Sequence, residues 1–356
     1  MIVIIVLVIV MSLHPEPPLQ KINLSRITLN QASKADAENY ASEIFNEAKY
    51  NWDTALKIWH QENKKLFFRR NFKLLEQRID TTIFLARQSE KNAIHAHDSL
   101  KSVARVELVL LLEKMDEFKA KFDQMPIDEL LRKKFTKGEL LVLEGQAALK
   151  RADIHKAIEK FNTAEKLIGQ SGKEVAEMLD EYLKNIPMWR KWDQETINWS
   201  EENNEVAIIV DKFDHTIHVY DKGQFIQKYP IELGKNWIGH KRQKGDHATP
   251  EGQYSISKKI QNGQSKYYKA LVIDYPNAKD IENFTEAIKR GDLPKNAQIG
   301  GLIEIHGGGG KGINWTQGCI AMKNEDLDKI FDLVKIGTPV TIVGSLNGAA
   351  NRKTSK

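Results

Sequence analysis

The spacing of apolar residues changes near Asn198, and that change splits the chain into a helical part and a β-rich part. From Ala32 to about Ser200 the sequence is rich in Ala, Leu, Glu and Lys, with Pro126 and Pro187 as its only prolines and few glycines. This is a helical composition. Ile44, Phe45, Ala48, Trp52, Ala55, Leu56 and Trp59 recur at helical spacing, and Val106, Val109, Leu110, Glu113 and Phe118 continue it less regularly. Between Gly138 and Gly169, the residues Gly145, Ala148, Ala157, Phe161 and Ala164 fall at the offsets of a tetratricopeptide-like hairpin, whose small side chains let two antiparallel helices pack closely. A solenoid needs three or more such units, so the expectation is a helical bundle with one hairpin. His95 and His97 point to opposite sides of a helix and read as solvated surface rather than a metal site.

Beyond Asn198 the period becomes that of strands. Val206–Val210 is a short run rich in β-branched residues, and Thr216–Tyr220 follows with the turn signal Asp221-Lys222-Gly223. Further strands are expected at Phe225–Leu233, Gln253–Ser257, Lys269–Tyr275, Gly301–His306 and Pro339–Val343. Two helices interrupt them. One is capped by Asp280, runs through Lys289 and ends at Gly291; the other is capped by Asn324 and buries Leu327, Ile330, Phe331 and Val334. The segment from Trp189 to Glu202 reads as a linker whose tryptophans, Trp189, Trp192 and Trp199, pack the domain junction. The expected class is α+β: a segment 1–18, a helical domain 32–200, a mostly-β domain 204–344 and a polar tail 345–356.

Length and composition agree with two ordinary cores, at 356 residues, 41% hydrophobic and 28% charged. The net charge of +5 comes from 53 basic against 48 acidic residues, and residues 205–344 hold 19 Lys and Arg against 17 Asp and Glu. With no Arg-rich stripe, nucleic acid is not an expected partner. Met1–Leu13 is apolar apart from Ser12 and is broken by Pro15, Pro17 and Pro18. It is too short to span a bilayer as a helix, which takes roughly 20 residues, but has the length of a signal-peptide core. No Lys or Arg precedes it and no small-x-small cleavage site follows, so a start lying further upstream, giving a longer signal anchor, is the favoured account. Export to an envelope or periplasmic location, with the membrane reached through this segment, is the resulting expectation.

The chain has one cysteine, Cys319, in Trp315-Thr316-Gln317-Gly318-Cys319-Ile320, and His306 followed by four glycines lies thirteen positions upstream. A lone thiol makes no internal disulfide, and the glycine before it allows close approach of backbone or substrate. A histidine that deprotonates a thiol is the minimum set for thiol nucleophilic catalysis. Alternation along Gly301–His306 puts Ile303 and Ile305 on the core face and Glu304 and His306 on the other. The glycines after His306, Gly307 first, leave room for an extended peptide. Backbone N–H groups near Gly318 and Cys319 are candidates for an oxyanion site, with Thr316 holding the loop by its hydroxyl. Trp315 either covers the site or packs under it. Glu304 reads as a solvated carboxylate more readily than as an orienter of the imidazole. Asp246, His247 and Glu251, with His240 and His306, are weighed as a metal site and set aside because strand-loop placement explains them; no cofactor or metal is expected. His215 and His218 flank a strand turn and read as surface.

The strand ending in His306-Gly307, the Thr316-Gln317-Gly318-Cys319-Ile320 element and the closing Gly337-Thr338-Pro339-Val340-Thr341-Ile342 together resemble the L,D-transpeptidase catalytic domain of the YkuD-type family. Gly245-Asp246-His247-Ala248-Thr249-Pro250-Glu251-Gly252 is similar to that family's Thr-Pro-x-Gly strand start and is closest to its murein transpeptidase and murein hydrolase branch, as are Tyr275-Pro276-Asn277 and Trp315-Thr316. The resemblance covers roughly residues 204–344. It implies a nucleophile at Cys319, a proton acceptor at His306, and attack on a peptidoglycan stem peptide to give a thioester, resolved by an amine in transpeptidation or by water in carboxypeptidase or endopeptidase action. His306 is then expected to favour the thiolate, so that Cys319 alkylates faster near neutral pH than a free thiol. Two departures bear on the acceptor. Ala321 stands where many members carry Arg, and the His-to-Cys spacing implies a shorter lid. The helical part is expected to position the enzyme or recruit protein partners; a non-catalytic scaffold that grips peptidoglycan is the reading from another class.

Overall fold

The structure, a computed structural model, describes residues 16–347 apart from residue 124. The apolar segment 1–13 and the end of the polar tail lie outside the described residues. The chain divides into two compact units: residues up to Lys114 with Lys137–Lys166, and Met115–Thr136 with residues from Leu167 onward.

The first unit holds α1 (Leu19–Lys34), α2 (Ala37–Tyr40), α3 (Ser42–Lys64) and, up to Lys114, the long α4 (Lys73–Phe122). Apolar side chains at helical spacing become the core. Ala55 of α3 meets Leu75, Ile79 and Ile83 of α4 together with Phe72, and Ala48 meets Leu85 and Ala86. A smaller cluster joins Ala32, Ala37, Phe45 and Ala93. The expected hairpin forms from α5 (Glu129–Lys150) and α6 (Ile154–Leu183). Ala148, Ala157 and Ala164 are fully buried along it. A Cβ on Gly145 would come 2.5 Å from the Phe161 ring, so the close approach depends on that glycine.

The second unit is built on an eight-stranded sheet in the order β3-β2-β1-β8-β4-β5-β6-β7. The strands are β1 (Val206–Asp211), β2 (Thr216–Asp221), β3 (Gln224–Pro230), β4 (Gly252–Ser265), β5 (Tyr268–Ile273), β6 (Glu304–His306), β7 (Ile320–Ala321) and β8 (Pro339–Val343). β1 pairs parallel with β8, which fits a strand apolar on both faces. β4 pairs with β8 through Gly252–Ser255 and with β5 from Ile256 onward, so one long strand carries the curl of the sheet.

The expected linker is instead a helix, α7 (Ile186–Asn203), with Pro187 in its first turn. It packs on the sheet. Trp189 is fully buried and fills the space that a side chain at Gly344 would need, and Thr196 Oγ1 lies 2.6 Å from Thr341 Oγ1. Tyr182, Trp189 and Val343 form one cluster, with Trp192 against it. Two caps also differ from expectation. In α8 (Ala278–Arg290), Asn277 is the N-cap and Asp280 reciprocates from the third helical position as a capping box. In α9 (Asn324–Leu333), the Asn324 side chain accepts from Gly308 N at 2.8 Å instead of capping its own helix. The end of Gly291 as a left-handed C-cap is as expected.

Candidate active site

The parallel register Ile305↔Ile320 and His306↔Ala321 sets Cys319 level with Glu304, one step before β7 begins. Alternation then puts Cys319 on the face that also carries Glu304 and His306, with the thiol diagonal to the imidazole. Both residues line one cavity of about 1050 Å³, together with Glu304, Tyr267, Trp315 and Thr316.

His306 is buried and held from three sides. Its Nδ1 lies 2.6 Å from the Gly307 carbonyl, which can only accept, so Nδ1 carries the proton and Nε2 is the basic nitrogen. The Tyr267 ring stacks on the imidazole, and Trp315 meets it edge-on at 5.8 Å. Burial lowers the pKa of His306 below the ordinary histidine value, the Gly307 carbonyl opposes this, and Lys311 adds to the lowering. Glu304 lines the same cavity, and burial raises its own pKa.

The Cys319 thiol donates to the Leu302 carbonyl at 3.6 Å, and among the described residues His306 is not its hydrogen-bond partner. Burial pushes the thiol up to about 11, even though the backbone N–H of Glu304 favours the thiolate; the Glu304 carboxylate adds to the rise and Lys241 opposes it. This corrects the expectation of an easily ionised cysteine. Burial destabilises both charged forms, so the resting pair is neutral thiol and neutral imidazole.

Thr316 closes the turn that presents the thiol. Its Oγ1 donates to the Cys319 carbonyl at 2.6 Å and accepts from Gly318 N at 3.2 Å. The Gly318 N–H is therefore occupied by Thr316. Gly318 sits at φ 130°, and a Cβ there would come 2.6 Å from the Ala248 carbonyl. Within the glycine run after His306, Gly307 and Gly309 are packed while Gly308 and Gly310 are exposed: Gly309 N donates to Met322 O at 3.0 Å, and a side chain at Gly307 would meet Asn324 and the Tyr267 carbonyl.

The upstream Thr-Pro-Glu-Gly block supports this site from below. Thr249 Oγ1 accepts from Gly234 N at 3.1 Å. Glu251 accepts from Tyr182 at 2.6 Å and from Lys212 at 2.8 Å; Lys212 is fully buried and also donates to the Gly239 and Thr249 carbonyls. Burial lowers the pKa of Lys212, with Glu251 acting against it. Asp246 is likewise committed. Burial raises its pKa, but Lys241 at 2.7 Å and the N–H groups of Gln243, Ala248 and Arg242 bring it below the ordinary carboxylate value. His240 accepts from Glu251 N at 3.0 Å. His215 is not simply surface, since its Nε2 lies 2.8 Å from Asn314 Nδ2. Sequence reasoning missed Tyr267, Glu232 and the Leu302 carbonyl. Each contributes through long-range packing that carries no local pattern.

The L,D-transpeptidase catalytic domain (YkuD) family model matches residues 205–342. YafK of Escherichia coli (strain K12), provisionally named an L,D-transpeptidase, is 28% identical over 163 residues, which cover 45% of this chain and 57% of that protein; YafK of E. coli O157:H7 matches equally. The chain thus spans little more than half the length of these relatives. Among solved structures, an L,D-transpeptidase from Mycobacterium smegmatis is 18% identical with a TM-score of 0.25, covering 39% of this chain and 59% of that one. One from Xylanimonas cellulosilytica DSM 15894 is 13% identical with a TM-score of 0.27, covering 39% and 61%. These overlaps are too partial to add to the assignment, which rests on the family model and the ordered motifs inside it. By sequence, residues 205–342 are similar to the L,D-transpeptidase catalytic domain (YkuD) family.

Proposed function

We propose that this protein is a cysteine-dependent L,D-transpeptidase acting on peptidoglycan stem peptides in the cell envelope. The observation that supports this most is the β6–β7 register, which sets Cys319 and His306 on one face of one cavity. As substrate enters, the thiol proton passes to His306 Nε2 while sulfur bonds to the carbonyl carbon of the bond between an L and a D centre. The N–H of Cys319 is the amide left to meet the developing oxyanion, because that of Gly318 is taken. His306 returns the proton to the departing amine as the C–N bond breaks, leaving a thioester. An incoming amine resolves it with a new peptide bond.

Lys241, Lys244 and Lys266 line the cavity, and Lys241 is committed to Asp246. With Ala321 in place of an arginine, Lys244 and Lys266 are the cations left to meet the substrate's carboxylates. Purified muropeptides incubated with the full-length protein and read by mass spectrometry test the reading. Cross-linked products lost in C319A are expected. Products that gain water without cross-links would select hydrolysis, and unchanged activity in C319A would remove the nucleophile. Among the described residues no helix is long and apolar enough to cross a membrane, so the envelope location rests on the substrate class and on segment 1–13.

A further inference from the structure

Glu232 follows β3 and lies on neither catalytic strand, yet it touches both flanks of the Cys319 turn. Its backbone forms a two-bond bridge to Ala321, two residues after the thiol, with N–H to carbonyl distances of 2.8 Å in both directions. Its side chain reaches the loop before the thiol: Oε1 accepts from Gly312 N at 2.6 Å and Oε2 from Trp315 Nε1 at 2.7 Å. The next residues continue the strap, since Thr316 N donates to Leu233 O and Leu233 N donates to Asn314 Oδ1. Glu232 is buried, and a carboxylate removed from water is tolerated only where charge-assisted hydrogen bonds replace the lost hydration. Here both oxygens are used, and one of the two donors is the indole that packs edge-on against His306.

We propose that Glu232 is a positioning residue for the catalytic pair: its carboxylate holds the His306-to-Cys319 loop closed and seats Trp315 against the imidazole. The kinetic part of this rests on the transpeptidase reading above; the positional part does not. With Trp315 seated, the imidazole is covered by Tyr267 on its face and by the indole at its edge. Lys311, whose Nζ sits 3.3 Å above the indole ring, Glu304 and Lys241 are charged groups at this arrangement, while Asp123, Arg132, Lys235, Lys323 and His215 line the cavity on the Glu232 side. Releasing Trp315 lets water reach His306 and changes the protonation behaviour of the pair.

The test uses the full-length protein as E232Q, W315F and the double variant, with iodoacetamide alkylation of the sole thiol as one readout and muropeptide turnover as the other. Gln keeps the size of Glu but turns an amide donor toward one of the two N–H groups. The expected result is that E232Q lowers kcat about tenfold with KM nearly unchanged, as a misplaced catalytic group does. It should also move the pH profile of alkylation. W315F should move that profile in the same direction, and E232Q should add little to it, because its partner is gone. An alkylation profile and kcat in E232Q that both match the parent would overturn the proposal, as would an E232Q effect of equal size with and without the indole N–H. Should E232Q fail to fold, W315F alone decides on the same alkylation readout. A shifted E232Q profile alongside a parent that turns over no muropeptide would keep the positioning role and sink the transpeptidase reading; an active parent matched by E232Q in both profile and kcat would do the reverse.

Discussion

The Tyr267 ring lies 4.5 Å from the His306 imidazole with 21° between their planes. A histidine stacked in this way, with Trp315 at its edge, has little water to stabilise an imidazolium. The neutral imidazole is the form that can accept a proton.

His306→Gln should retain the fold and lower kcat on muropeptides by about 10²- to 10⁴-fold, the usual worth of a positioned general base. The pH dependence follows from the sign of the shift. Because burial holds the pKa below the ordinary 6.5, the base stays available at lower pH than a solvated histidine would allow. The acid limb of kcat/KM should therefore fall below pH 6.5 and move up toward it in Tyr267→Ala. A limb that stays in place in that variant would detach the stacking from the pKa.

With the thiol pushed up to about 11, iodoacetamide should label Cys319 slowly at pH 7, and the rate should climb steeply toward pH 11. One label per chain, counted by intact mass, makes the measurement unambiguous because no other cysteine is present. Fast labelling at neutral pH would show that His306 stabilises a thiolate in the free protein.

Gly318→Ala places a methyl group against the Ala248 carbonyl at a φ that L side chains rarely adopt. The turn that carries the thiol must shift, so activity should fall by about a hundredfold or more, as a misplacement near 1 Å costs. Stability should fall by about 1–3 kcal/mol, measured by urea unfolding. Normal turnover in this variant would mean that the turn is less constrained than its geometry implies.

Asp193 on α7 is half-buried, and its Oδ1 has no hydrogen-bond partner among the described residues. Burial raises its pKa from 3.8 to about 6. A carboxyl whose folded pKa lies above its unfolded value favours the folded state below 3.8, and that advantage is lost as pH rises through about 6. Asp193→Asn should therefore raise the melting temperature at pH 7 and leave it nearly unchanged at pH 4. An equal shift at both values would exclude the charge as the cause.

Much of the β domain could be read in the sequence because its strands are long enough to alternate. β1, β2 and β8 fall where β-branched runs put them. β7 was not legible, since two paired residues leave no period. α7 was hidden for another reason: the segment from Trp189 to Glu202, with its three tryptophans, reads as a linker until Gly344 and Thr341 are seen packing against that helix. In the site, Cys319, His306 and Thr316 stood out through local chemistry. Glu232 did not, because its donors at Gly312 and Trp315 lie about eighty residues further along the chain. The raised pKa of Cys319 runs against the expectation of a favoured thiolate, because residue types reveal a neighbouring base but not how far the fold shields a sulfur.

The raised thiol pKa also bears on durability. Sulfenic, sulfinic and sulfonic acids form from the thiolate and hardly from the thiol. A chain with a single sulfur nucleophile cannot fall back on a resolving cysteine to reverse such damage. A half-buried turn that keeps Cys319 protonated would shield this sulfur from peroxide in the same way that it restrains its nucleophilicity.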